Sequence, residues 1–447
     1  MRIYVETYGC QMNEYDSSMI LEILGAAGHD RVMTPDDADV VIVNTCAVRG
    51  RAETRVLGRM RHLRGLMRRG AALGVVGCVA QRMGSALTRE VRGLSFVVGT
   101  GRYEELPAVI ERATAGLTTV DTSLPDASLY EGRPAPTSAS LCDFVSIARG
   151  CDNRCSYCIV PYVRGRERSR DAASVVREVE ALVALGARDV TLIGQNVNSY
   201  RDGPVRFADL LRRANDVPGL SRLRFTTSHP KDLSDDLIEA AATCAKVCEH
   251  VHLPVQSGSD ETLAAMNRGY TRARYVDAVA RIRERIPGAA LTTDVIVGFP
   301  GETESRFRET LDLMEEVRFD SAFMFRYSPR PGTAAAELPD DVPDEEKIER
   351  LKTVIALQQR TTGEINGALV DTDQEVLVEG PSERDPSLLY GRTRTAKVTV
   401  FAGTDAPPGS LVRVRVTAAS AWTLRGLASG GPSGQKGLAA PRGGLLD

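Results

Sequence analysis

The chain lacks the features that would set it apart from ordinary globular proteins. No apolar run approaches the ~18 residues of a membrane-spanning helix, and Met1-Arg2-Ile3-Tyr4-Val5-Glu6 carries no apolar signal core. A cytoplasmic protein without membrane contact is therefore expected. No charge sign dominates: 56 Lys+Arg against 59 Asp+Glu leave -3, so no global basic field announces nucleic acid. Cysteine is sparse, nine in 447 residues, far below the ~8–10% of a disulfide scaffold. The 43% hydrophobic and 26% charged residues exclude a mostly disordered chain. The length suggests about three domains.

Hydrophobic patterning divides the chain. Ile3 to Tyr8, Val40 to Asn44 and Leu73 to Val76 are apolar runs that read as buried parallel strands, separated by helical patterns at Ser17 to Ala27 and Ala52 to Arg69. This alternation predicts a doubly wound α/β domain over 1–120. Residues 121–140 are rich in Ser, Pro and Ala and read as a linker. Over 141–361, strand patterns at Phe144–Ala148, Asp189–Ile193, Leu223–Thr227, Val251–Val255, Leu291–Val297 and Ala322–Tyr327 alternate with helical stretches, which fits a partial (β/α)6 barrel. Three further strand patterns over 362–427 predict a small antiparallel β-barrel, and 428–447 read as a disordered tail. The fold class expected is α/β, with these three domains in that order.

The cysteines carry the chemistry. Cys10, Cys46 and Cys78 each follow a predicted strand, and in a parallel sheet all such ends share the edge where ligands bind. Three buried small thiols are the alternative. Cys151-Asp152-Asn153-Arg154-Cys155-Ser156-Tyr157-Cys158 is CxxxCxxC, just after the first barrel strand. Three thiolates on one loop can hold three irons of a [4Fe–4S] cluster, leaving the fourth open to a small chelating molecule. A structural zinc site needs four ligands, and the next cysteine is only Cys244, with no histidine nearby. Tyr157 packs over the loop or shields the metal from water. Cys244 and Cys248 share a helical stripe with Leu237 and Ala241 and read as core.

CxxxCxxC after the first strand of a partial barrel resembles the radical S-adenosylmethionine (SAM) superfamily. Tyr8-Gly9-Cys10-Gln11-Met12-Asn13, Gly194-Gln195-Asn196-Val197-Asn198, Ser228-His229-Pro230, His252 to Ser259, Asp294 to Thr303 and Ser328 to Thr333 resemble MiaB-type tRNA methylthiotransferases. The likeness spans residues 1 to about 426 and leaves out only the tail. It implies a methylthiotransferase N-domain, a radical SAM domain and a terminal TRAM barrel. It also implies two [4Fe–4S] clusters with S-adenosylmethionine as cofactor. Cys151, Cys155 and Cys158 would hold the cluster that cleaves the cofactor to methionine and a 5′-deoxyadenosyl radical. Cys10, Cys46 and Cys78 would hold an auxiliary cluster that delivers methylated sulfur. Gln195 and Asn196 would meet the cofactor's methionine end, Gln256 and Ser257 its ribose, and Val295, Ile296 and Val297 its adenine. Each polar residue among these could instead cap a helix or close a turn.

Local charge supports an RNA partner. Arg49, Arg51, Arg55, Arg59, Arg61, Arg64, Arg68 and Arg69 face Glu53 alone across 49–70, around a stripe of Val56, Met60, Leu63 and Met67. Arg392, Arg394, Lys397, Arg413, Arg415 and Arg425 form a second basic set, and either patch could track phosphates. An ordinary solvated surface is the alternative. The substrate implied is N6-isopentenyladenosine beside the anticodon of tRNA, modified at C2, with an electron donor and an iron–sulfur or sulfur donor as further partners. Threonylcarbamoyl-adenosine in tRNA or a ribosomal-protein aspartate is the closest alternative substrate. A non-catalytic zinc-dependent RNA-binding protein is the alternative of a different class.

Overall fold

The structure, a computed structural model, describes residues 1–47, 50–124 and 134–429. Two compact units divide the chain, Met1–Gln358 and the remainder from Gln359. The first unit opens with β1 (Arg2–Thr7), α1 (Gln11–Ala26), β2 (Asp30–Arg31), β3 (Val40–Thr45), α2 (Gly50–Leu66), β4 (Ala72–Gly77), α3 (Cys78–Met83), α4 (Ala86–Glu90), β5 (Phe96–Val98), α5 (Leu106–Thr114) and β6 (Thr119–Asp121). Its strands form one parallel sheet in the order β2-β1-β3-β4-β5-β6. Every residue of β3 and β4 is buried, as continuous apolar runs covered on both faces require.

Six further parallel strands form the partial barrel: β7 (Cys142–Ser146), β8 (Asp189–Ile193), β9 (Arg222–Phe225), β10 (His250–His252), β11 (Ala290–Val297) and β12 (Ser321–Arg326). They pair as two triplets, β9-β8-β7 and β10-β11-β12, joined by a single parallel bridge between Leu223 and Val247. The helices between them are α6 (Val160–Arg164), α7 (Ala172–Ala184), α8 (Phe207–Asn215), α9 (Asp235–Thr243), α10 (Asp260–Ala265), α11 (Arg272–Arg285) and α12 (Glu304–Val317). Asp171, Ser234, Thr271 and Thr303 start α7, α9, α11 and α12, each side chain accepting a first-turn N–H. The period of two along β11 sorts its faces. Leu291, Thr293, Val295 and Val297 are buried, whereas Thr292, Asp294 and Ile296 are half-buried.

α13 (Asp344–Gly367) leads into the second unit. There β13 (Asp373–Pro381), β14 (Leu389–Thr393), β15 (Val398–Ala402), β16 (Leu411–Ala419) and β17 (Leu424–Ala428) close a barrel around Val376, Val378, Phe401 and Val414. It departs from a wholly antiparallel barrel at one seam, where β15 and β17 run parallel. Among the described residues no helix is long and apolar enough to cross a membrane. The tail beyond 429 lies outside the described residues, as does 125–133 of the expected linker.

Candidate metal centres

Cys10 caps the start of α1, Cys46 directly follows β3, and Cys78 opens α3 after β4. Because β1, β3 and β4 are neighbours in one parallel sheet, their C-terminal ends deliver all three thiols to the same edge. Two glycines make the approach possible. Gly9 has φ +151°, and a Cβ there would stand 2.8 Å from the Cβ of Cys46. Gly77 has φ +91°, and a Cβ there would stand 2.6 Å from the Thr45 carbonyl. Beneath the thiols lie two fully buried asparagines. Asn13 Nδ2 donates to Asn44 Oδ1 and to the Thr45 carbonyl, both at 3.1 Å, and Asn44 Nδ2 donates to the Asn13 carbonyl at 2.9 Å. A hydrogen bond to Cys46 and the charge of Arg164 pull the exposed Cys10 thiol down to about 6, whereas burial pushes Cys78 up.

The second triad occupies the loop between β7 and α6. Gly150, at φ +76°, leaves no room for a side chain against the backbone of Gly165 and Arg166, and its N–H donates to Gln195 Oε1 at 2.5 Å. Burial pushes the Cys151 thiol up to about 11 and Cys158 up to about 12, with a charged Cys155 adding to both. A metal reverses such shifts by deprotonating the thiols it binds. Among the described residues no three His, Cys, Asp or Glu side chains converge tightly enough to hold one ion. A closed zinc site takes four protein ligands, whereas each triad offers three cysteines. A cubane cluster places each thiolate on a different iron, and three cysteines per site fit it.

The two sites are tied together. Ile159 and Val163, just past Cys158, pack in the same apolar cluster as Cys78 and Val79. One residue further, Arg164 donates to Asp16 Oδ2 of α1 at 2.7 Å, with both side chains 5% exposed. Tyr103 donates to the same carboxylate at 3.3 Å, and Thr100 donates to the Val163 carbonyl at 2.6 Å.

The residues expected to meet the cofactor occupy different surroundings. Ser257 is fully buried, and its hydroxyl lies 3.2 Å from Thr310 Oγ1, which ties the loop after β10 to α12. Val295 and Val297 are buried in the cluster that joins the barrel strands to their helices. Ile296, on the opposite face, packs with Tyr157, Met266, Phe299 and Tyr327. Gln195 holds the cysteine loop through Gly150. Asn196 Nδ2 donates to Asp232 at 2.7 Å, while its buried Oδ1 has no partner among the described residues. Gln256 is buried at the left-handed φ of +70°.

Arg268 was not marked by any sequence pattern. It is 5% exposed and donates to Cys155 Sγ at 3.3 Å, Tyr157 OH at 3.4 Å, Tyr270 OH at 3.0 Å and the Pro254 carbonyl at 3.1 Å. Nothing in Met266-Asn267-Arg268-Gly269-Tyr270 announces its burial. Asn44, directly before Thr45-Cys46, could have been noticed from its position alone.

The basic surfaces are partly committed to carboxylates. On α2, Val56, Met60 and Leu63 are fully buried as their spacing demands, with Met67 packed beside them. Arg59, however, turns to β1 and grips Glu6 at 2.7 and 3.0 Å. Arg68 pairs with Asp39, Arg61 lies 3.9 Å from Glu90, and Arg64 donates to the Ala71 carbonyl at 3.5 Å. Arg49 and the side chains of Arg51 and Arg55 lie outside the described residues. In the second unit, Arg392 pairs with Glu379 at 2.9 Å and Arg415 lies 3.9 Å from Asp373. Arg394 and Lys397 flank the β14–β15 turn, Arg413 lies on β16, and the exposed Trp422 sits between β16 and β17.

A parallel, open β/α arc with three thiols on the loop after its first strand defines a radical SAM domain. The Radical SAM superfamily model matches residues 145–314, an uncharacterized protein family (UPF0004) matches 2–99 and the TRAM domain matches 368–428. A radical S-adenosylmethionine methyltransferase from Kitasatospora setae shares the fold, with a TM-score of 0.56 and 19% identity over 75% of each chain. The tRNA-2-methylthio-N(6)-dimethylallyladenosine synthase of Moorella thermoacetica is 47% identical over 94% of this chain and 96% of its own. That of Syntrophomonas wolfei is 46% identical over 95% and 97%. The chain belongs to the tRNA-2-methylthio-N(6)-dimethylallyladenosine synthase family.

Proposed function

We propose that the chain inserts sulfur and a methyl group at C2 of N6-isopentenyladenosine next to the anticodon of tRNA, giving 2-methylthio-N6-isopentenyladenosine. The observation that supports this reading is that Cys10, Cys46 and Cys78 follow three neighbouring strands at one sheet edge while Cys151, Cys155 and Cys158 share the loop after β7. Two [4Fe–4S] clusters and S-adenosylmethionine are its cofactors, and when bound they supply the radical chemistry that an unactivated C–H bond demands. Cys151, Cys155 and Cys158 hold one cluster, and Cys10, Cys46 and Cys78 the other.

The protein's own residues hold and screen these groups. Gln195 fixes the loop bearing Cys151 through the Gly150 N–H. Tyr157 and Ile296 form an apolar wall that keeps water from the thiols. Asn196 Oδ1 and Gln256 offer polar contacts to the cofactor, and the backbone of Val295 and Ile296 pairs with Gln256 beside them. Arg164 and Asp16 keep the two sites in fixed relation. Exposed ion pairs are worth only about 0–1 kcal/mol, so Arg64, Arg68, Arg392, Arg394, Lys397, Arg413 and Arg415 can exchange their partners for phosphates. Arg59, gripped by Glu6, acts through the fold. An anticodon-loop base is open to extrusion, which suits chemistry on its edge. An electron donor and a sulfur donor act as partners in the cytoplasm.

The test is iron and sulfide analysis of anaerobically reconstituted protein. About eight irons per chain are expected, falling to about four in either triple Cys→Ala variant. Only the variant lacking Cys151, Cys155 and Cys158 should lose cleavage of S-adenosylmethionine. Zinc in place of iron, or cleavage surviving in that variant, would refute the assignment.

A further inference from the structure

Arg268 is a buried cation with no acidic counterpart among the described residues. Arg164 has Asp16, Arg170 has Glu178, Arg224 has Asp189 and Arg350 has Glu302. Among the described residues no carboxylate pairs with Arg268. Its hydrogen bonds go to two tyrosine hydroxyls, one backbone carbonyl and the sulfur of Cys155. The face of Tyr270 lies 5.3 Å from its guanidinium carbon. Tyrosines and a carbonyl satisfy donors without neutralising charge. A guanidinium is always protonated, and an isolated buried charge is costly unless it is paired. The sulfur of Cys155, 3.3 Å away, is the neighbour that a bound cluster would make anionic.

We propose that Arg268 is the counter-ion and sulfur hydrogen-bond donor of the cluster held by Cys151, Cys155 and Cys158, a positioning residue that raises that cluster's reduction potential. The proposal rests on the reading of Cys155 as a cluster ligand. Reduction adds one electron, and so one negative charge, to a site enclosed by apolar side chains and protein dipoles. A fixed cation at hydrogen-bond distance from a ligand sulfur favours the more negative, reduced state. Net charge and hydrogen bonds to sulfur are among the levers by which a protein tunes such clusters. The fork of Arg268 also has a mechanical role. One Nη reaches both Cys155 Sγ and Tyr157 OH, so the same group fixes the middle cysteine and the aromatic beside it.

The test uses full-length, reconstituted protein in which Cys10, Cys46 and Cys78 are Ala, so that a single cluster is observed. Its one-electron midpoint is titrated with dithionite and mediators and read by electron paramagnetic resonance. Arg268→Gln should lower the midpoint by at least 59 mV, a tenfold change in the one-electron equilibrium. Arg268→Lys, which keeps charge but loses the fork, should fall between Gln and wild type. Should the Gln variant not retain iron, the Lys variant decides alone: a lowered midpoint supports the proposal, and a wild-type midpoint overturns it. An unchanged midpoint with a raised KM for S-adenosylmethionine would also overturn it, by placing the counter-ion on the cofactor. If the parent variant itself binds no iron, the ligand reading fails, an outcome distinct from failure at Arg268.

Discussion

Replacing Asp16 with Asn probes the joint between the two cysteine sites. The exchange keeps shape but leaves the Arg164 guanidinium buried without a carboxylate. At 2.7 Å and an effective dielectric of about 20, the lost attraction is about 6 kcal/mol before desolvation is counted. Part of that was already offset by the cost of burying the carboxylate, which Asn no longer incurs. Breaking a buried pair from one side typically costs about 3–5 kcal/mol, and Tyr103 loses a charged acceptor as well. The expected loss is therefore at the upper part of that range. Guanidinium unfolding of the apo-protein, followed by far-ultraviolet circular dichroism, measures it. The only tryptophan, Trp422, lies in the second unit, so its fluorescence does not report on this joint. The double variant Asp16→Leu/Arg164→Met should recover much of the loss, because it removes the stranded cation too. An Asp16→Asn unfolding free energy within about 0.5 kcal/mol of wild type would refute the view that this pair holds the sites together.

Gly9→Ala should strip the auxiliary site alone, because the new Cβ collides with Cys46 and the backbone φ of +151° disfavours any side chain; iron should fall from about eight to about four per chain, by elemental analysis. In the apo-protein, Cys10 should be alkylated by iodoacetamide at neutral pH while Cys151 and Cys158 resist, as read by peptide mass spectrometry. With the Cys10 thiol pulled down to about 6, its thiolate is present above that pH and its reactivity is lost as pH falls through it. Arg164→Met should weaken this selectivity by removing the charge that stabilises the thiolate. Replacing Arg392, Arg394 and Lys397 with Ala should weaken tRNA binding and flatten its salt dependence, in titrations that follow quenching of the exposed Trp422. Unchanged affinity and slope would leave that surface without an RNA role.

Periodicity made the architecture legible. Asp189–Ile193 and Glu304–Val317 appear with the bounds their patterns imply, because a buried parallel strand and an amphipathic helix each declare themselves locally. Leu389–Thr393 and Leu424–Ala428 were not anticipated, since short barrel strands carrying Gly and Arg lack a clear apolar alternation. Cys248 was assigned to the helix of Cys244, yet α9 stops at Thr243 and Cys248 leads into β10; both are nonetheless buried. The cysteines were legible because their spacing and strand-end positions are properties of the chain itself. Asp16 with Arg164, and Arg268 with Cys155, were not, because each contact joins residues more than a hundred positions apart. Ser257 shows that a polar residue in a functional-looking loop also bonds across the fold, here to Thr310 of α12. Arg59 likewise looked like part of a basic face until the fold brought Glu6 beneath it.

The most direct test of the account is nucleoside mass spectrometry after an anaerobic reaction. Reconstituted protein, S-adenosylmethionine and a reductant would be given a tRNA bearing isopentenyladenosine or, separately, one bearing threonylcarbamoyl-adenosine. The account predicts a methylthio product in the first reaction and none in the second. Product in the second alone, or in neither from protein shown to hold both clusters, would contradict it.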